Sequence, residues 1–214
     1  MLNVELPNGT QRLIQHSTLN TQHLTFNIQD MDYDVKGNLH EVLGSLPAGV
    51  RLVAISKFHP NEYIEEAYAE GQRIFGESHE QELARKVPSL PEDIEWHFIG
   101  HLQTNKVKYI APYISMIESV DSLKLLKEIE KQAAKHNRVV KVLLELHLAE
   151  EDTKSGLSLD ACRELLEAGE WREMKHVQIC GIMMMASNTD DEQQIAQEFD
   201  EAARFFDEIK ARYF

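Results

Sequence analysis

From position 50 onward, short apolar runs alternate with amphipathic helical patterns, and this alternation restricts the fold more than anything else in the chain. Arg51-Leu52-Val53-Ala54-Ile55-Ser56 is a nearly continuous apolar run, as expected of a strand covered on both faces. His59-Pro60-Asn61 then opens a helix with Ile64, Ala67 and Tyr68 on one face, and Gly71 stops it. Strands are predicted over 73–76, 96–100, 115–120, 139–148 and 177–186. Between them lie a charged helix ending before Pro88, a short helix capped by Thr104 and ending near Pro112, and helices over 122–136 and 158–168. A long amphipathic helix from Asp190 onward carries Ile195, Phe199, Ala202, Phe206 and Ile209. Six strand–helix units in series imply an α/β fold with a parallel sheet and right-handed crossovers. No GxGxxG or Walker loop is present, which weighs against a doubly wound nucleotide-binding sheet. A closed barrel takes eight units. The expectation is a TIM-barrel-type domain over 35–214 with about six of the eight units present.

Residues 1–34 are rich in Asn, Gln, Thr and His and read as an extension outside the repeat, with a hairpin turn at Pro7-Asn8-Gly9. Met31 is an alternative natural start. The formal net charge of −14 argues against nucleic acid as a partner, with Asn105-Lys106-Val107-Lys108 the local exception. Cys162 and Cys180 sit in apolar segments without disulfide or zinc spacing. With no apolar stretch near the ~18 residues of a membrane span and no signal-peptide pattern, the chain reads as a cytoplasmic protein without a membrane partner.

Lys57 directly follows an apolar strand and is expected to project from its C-terminal end, where barrel sites form. Partial desolvation there favours the neutral, nucleophilic amine that imine formation with an aldehyde requires. A lysine reaching to solvent is the plainer alternative. Polar loops follow the other strands: Gly76-Glu77-Ser78-His79, the run from Gly100 to Asn105, Lys154-Ser155-Gly156 and Ser187-Asn188. His97 reads as half-buried between Trp96 and Phe98. It lies four positions before His101, but Gly100 and the strand pattern break the geometry a paired metal site would need. Met183, Met184 and Met185 read as strand filler.

Taken together, several of these segments resemble one family. Leu52 to Lys57, Gly71 to Glu77, and the block Trp96-His97-Phe98-Ile99-Gly100-His101-Leu102-Gln103-Thr104-Asn105-Lys106 are similar to the YggS-like pyridoxal-phosphate homeostasis family. Lys154-Ser155-Gly156 and Gly181-Ile182-Met183 match later blocks in the same order, and the match runs from about Val35 to the C-terminus. The resemblance implies a single barrel like the N-terminal domain of alanine racemase, binding pyridoxal 5′-phosphate as an aldimine on Lys57. It also implies that Ser78 stands where the family often has a cofactor-contacting Asn, and that His97 and Met183 line the pocket. The chain stops at Phe214, before the segments that supply the family's last two strand units and phosphate cup. From this we expect either a fragment or weakened phosphate binding, with the edges of the first and sixth strands exposed unless the N-terminal hairpin covers them. The function implied is cofactor homeostasis, with apo-enzymes that depend on the cofactor as possible recipients. A racemase-type enzyme with Lys57 as sole base and a remnant that binds no cofactor are the alternatives.

Overall fold

A computed structural model describes residues 2–6, 10–14, 34–148 and 155–214, the first two segments as backbone. The elements run β1 (Leu2–Leu6), β2 (Thr10–Ile14), α1 (Val35–Ser45), β3 (Val50–Leu52), β4 (Ala54–Ile55), α2 (Asn61–Ala69), β5 (Ile74–Glu77) and α3 (Glu80–Lys86). They continue with β6 (Glu95–Phe98), α4 (Val107–Ile110), β7 (Met116–Val120), α5 (Leu123–Lys135), β8 (Val140–Leu146), α6 (Leu159–Ala168), β9 (Val177–Met184) and α7 (Glu192–Tyr213). Thr104 starts a 3-10 turn instead of capping α4, and no side-chain bond caps that turn.

The sheet order is β3-β1-β2-β9-β8-β7-β6-β5-β4. The two ends of that order, β3 and β4, are consecutive pieces of one strand parted only at Val53, so the sheet closes on itself. From β4 to β9 every pairing is parallel. The gap between β9 and β3 is filled by the N-terminal hairpin. β2 pairs parallel with β9 through Gln11↔Gly181 and Arg12↔Ile182, and β1 pairs antiparallel with β3 through Leu2↔Leu52, Asn3↔Arg51 and Val4↔Val50. The six expected units are present, but the expected open edges are not. The segment read as an extension puts two strands into the same sheet, and among the described residues β9 and β3 each pair with one of them. The Pro7-Asn8-Gly9 turn itself lies outside the described residues.

The strands read as apolar runs because both their faces are buried. One face meets the helices in a large core that includes Phe75, Trp96, Phe98, Ile117, Val142, Leu144 and Phe206. The helices present matching stripes to it. On α5, Leu125, Leu126, Ile129 and Ala133 are each at most 1% exposed, and removing such apolar surface from water stabilises the fold by about 2 kcal/mol per large side chain. Ser122 caps that helix by accepting from the Leu125 amide at 3.3 Å. The other strand face forms a smaller, separate cluster of Met116, Leu143, Cys180 and Met183, which is the barrel interior.

Candidate functional site

Strand alternation decides which polar side chains enter the barrel. On β6, Trp96 and Phe98 join the outer core, so His97 between them points inward. On β7, Met116 faces inward and Ile117 outward; Glu118 follows on the inner face. A register shift between Ile117 and Val120 then returns Val120 to the outer core. On β8, Leu143 is inner while Val142, Leu144 and Leu146 are outer, which turns Glu145 inward. A Cβ on Gly76 would stand 3.1 Å from both the Val53 and Ile55 side chains, so those two share the inner face, and Lys57 continues their alternation at the strand's C-terminal end.

Lys57 is half-buried and, among the described residues, makes no hydrogen bond or ion pair. Its neighbours are tightly held. Ser56 is 4% exposed; its amide donates to Gly76 O at 3.0 Å and its hydroxyl to Glu77 Oε1 at 2.6 Å. Phe58 has φ of 65° and donates its amide to Glu82 Oε1 at 2.8 Å. The Lys86 ammonium donates to Ser56 O, Glu77 Oε1 and Glu82 Oε1, each at 2.7 Å. Burial pushes the Glu77 carboxyl above the usual range, against the pull of Lys86 and Ser56. Burial acts the same way on Glu82, but the Lys86 and Phe58 hydrogen bonds outweigh it and hold that carboxyl below the usual range.

Inside the barrel His97 and Glu118 are 2% and 0% exposed, with His97 Nδ1 at 2.6 Å from Glu118 Oε1. Glu145 is 2% exposed and accepts from Ser155 Oγ at 2.8 Å. Burial raises its carboxyl above the usual range, and Asp121 adds to this while Ser155, His101 and His147 oppose it. These neighbours follow β6, β7 and β8, so the Glu145 carboxyl lies beneath the same barrel mouth that Lys57 approaches. Among the described residues, Glu118 Oε2, Ser119 Oγ and Glu145 Oε2 are buried without a hydrogen-bond partner. Buried acceptors of this kind suit a bound polar molecule. Two glycines bring the mouth loops close. A Cβ on Gly100 would lie 2.6 Å from Ser78 O, and Gly156, at φ of 129°, packs on the backbone of Leu146 and His147.

The four residues expected at the site all lie on strands of one barrel or just beyond them. Lys57 follows β4, half-buried Ser78 follows β5, and His97 and Met183 are on the inner faces of β6 and β9. His97 is fully buried, not half-buried, because it faces the barrel interior and Glu118 takes its ring nitrogen. His101 turns instead to Asp121 at 3.5 Å. Lys154 lies outside the described residues. Ser187, expected in a solvated loop, is buried against Glu198, which accepts from its amide at 2.7 Å. Sequence reasoning placed Glu77 in a polar loop, whereas it is the buried last residue of β5, and it missed Glu82, Lys86, Glu118 and Glu145. The signal was an acid inside an apolar strand run for Glu118 and Glu145, and an acid–base pair at i and i+4 for Glu82 and Lys86.

Comparison with known proteins gives a consistent picture. Residues 34–214 match the family described as alanine racemase, N-terminal domain. The pyridoxal phosphate homeostasis protein of Aquifex aeolicus is 36% identical over 164 residues, covering 76% of this chain and 71% of the relative. That of Pasteurella multocida is 31% identical over 166 residues, covering 76% and 70%. Among solved structures, PipY of Synechococcus elongatus with pyridoxal phosphate bound superposes with a TM-score of 0.76 at 32% identity, covering 84% of this chain and 83% of PipY. An alanine racemase from Clostridium difficile shares the fold, with a TM-score of 0.67 at 12% identity over 84% of this chain and 48% of the racemase. The extent of these matches, over a barrel built in the same way, makes the chain a member of the alanine racemase N-terminal-domain family and, within it, of the pyridoxal phosphate homeostasis proteins.

Proposed function

We propose that the chain binds pyridoxal 5′-phosphate at the C-terminal mouth of its barrel, with Lys57 as the covalent attachment point, and serves the homeostasis of that cofactor. The observation that carries this reading is the Lys57 amine itself: half-buried, unpaired among the described residues, and held between two fixed neighbours. When bound, the cofactor supplies an electrophilic aldehyde and an electron-withdrawing ring. Several residues present fit its aldehyde and its ring. Lys57 offers a nucleophile, Ser78 a hydroxyl beside Gly100, and Met183 an apolar wall. The buried oxygens of Glu118 and Glu145 remain available to a polar ring substituent. His97 is held by Glu118, which fixes its ring. Support comes also from the relatives' names and from PipY, whose structure holds pyridoxal phosphate.

Homeostasis in place of fast turnover follows from the inventory of bases. Proton exchange on both faces of a substrate needs two groups poised at the reacting carbon. Among the described residues Lys57 is the amine without a partner at the mouth, whereas His97 is spent on Glu118 and buried. Enzymes awaiting the cofactor are the recipients we assign, and two buried cysteines outside any disulfide, Cys162 and Cys180, suit a reducing compartment such as the cytoplasm. Among the described residues no helix is long and apolar enough to cross a membrane. Mixing the chain with pyridoxal phosphate should give a visible absorbance band that is absent from Lys57→Ala. A folded wild-type chain without the band would refute the reading, and amino-acid racemisation that depends on Lys57 would replace it with a catalytic one.

A further inference from the structure

One buried ion cluster grips the backbone on both sides of Lys57. On the N-terminal side it takes Ser56 twice, through the hydroxyl on Glu77 and through the carbonyl on Lys86. On the C-terminal side it takes the Phe58 amide through Glu82. The Lys86 ammonium has three hydrogens and three acceptors at 2.7 Å, so its bonding is complete. Glu77, Glu82 and Lys86 are 0%, 9% and 6% exposed. Apolar side chains of similar volume would fill such a space at least as stably, because three charges must be stripped of water. What the charges do that apolar groups would not is hold named backbone atoms. They hold them in a conformation the chain does not favour, since φ of 65° places an aromatic residue in the left-handed region.

We propose that Lys86, Glu82 and Glu77 are positioning residues for Lys57, fixing the turn on both sides of it so that its amine is presented to the barrel mouth. The proposal rests on reading Lys57 as the reactive amine, and its test separates the two claims. The full-length wild type, Glu82→Gln and Lys86→Met would be treated with limiting formaldehyde and cyanoborohydride. Peptide mass mapping then gives the labelling of Lys57 relative to exposed Lys108 in each sample. Folding is checked by circular dichroism and size exclusion. Each protein is also incubated with pyridoxal phosphate and reduced, and the adduct on Lys57 is measured.

In folded variants the Lys57-to-Lys108 ratio should fall about tenfold, the scale of a small misplacement of a reacting group, and the cofactor adduct should fall with it. A purely structural cluster would lower the melting temperature and leave the ratio unchanged. A ratio within about twofold of wild type in a folded variant would overturn the proposal. If Lys86→Met does not fold, Glu82→Gln decides, because it keeps the shape of the side chain. A wild type that takes no cofactor while the formaldehyde ratio still falls would sink the cofactor reading and leave the positioning role standing.

Discussion

At the residue scale, the turn after Lys57 concentrates the strain. Phe58 is 76% exposed, so its side chain contributes little burial, and its backbone sits at φ of 65°. Asn tolerates that region and a β-branched residue does not. Phe58→Asn should therefore be near neutral, while Phe58→Val should cost about 1–2 kcal/mol more in urea unfolding. Glu145 gives a second expectation. Its carboxyl is raised by burial, so it binds a proton more readily folded than unfolded. Its contribution to stability is full below the unfolded carboxylate range and is lost as pH rises through the folded value. Glu145→Gln keeps an oxygen for Ser155 and carries no charge. It should be more stable than wild type at neutral pH, with the difference vanishing in acid, and equal stabilities across a pH series of unfolding curves would contradict this.

At the scale of elements, the N-terminal hairpin matters most. β1 is paired on both sides, so Val4 lies in a central strand opposite Arg12 and Val50. Proline there removes a ladder donor and clashes with its neighbours, at a cost of about 3 kcal/mol or more. Val4→Pro should speed amide hydrogen exchange at Arg51 and at Ile182, on the two strands that the hairpin bridges, while β6 and β7 stay protected. Unchanged exchange at both positions would mean that the hairpin does not close the barrel. The parallel strands were legible in sequence because burial on both faces leaves an unbroken apolar run, and the helices because apolar residues recur on one face; Ser122 and Ser158 cap two of them at their expected starts, and Asp191 caps the last one position beyond its expected start. The Pro7-Asn8-Gly9 turn signal lies outside the described residues, but the antiparallel pairing of β1 with β2 on either side of it is present. The outer partners of those strands were not legible, because turn chemistry is local, whereas the pairing of Leu2 with Leu52 depends on where the rest of the chain leaves an edge.

At the scale of the whole molecule, the closed sheet converges six strand ends on one mouth and so brings the candidate site's residues together from far apart in sequence. From its position alone Lys57 read most plainly as a strand-end lysine reaching to solvent, and it was the family resemblance that singled it out. Glu118 and Glu145 were not, because their role depends on which face of the strand a bulge and a register shift leave inward. Glu77, Glu82 and Lys86 looked like surface charge until the fold buried them together. The central claim is that Lys57 is the amine that holds pyridoxal phosphate. It is tested most directly by incubating the full chain with the cofactor, reducing with borohydride, and locating the added mass by peptide mapping. The account predicts one adduct per chain, at Lys57. An adduct spread over exposed lysines, or none on a folded chain, would contradict it.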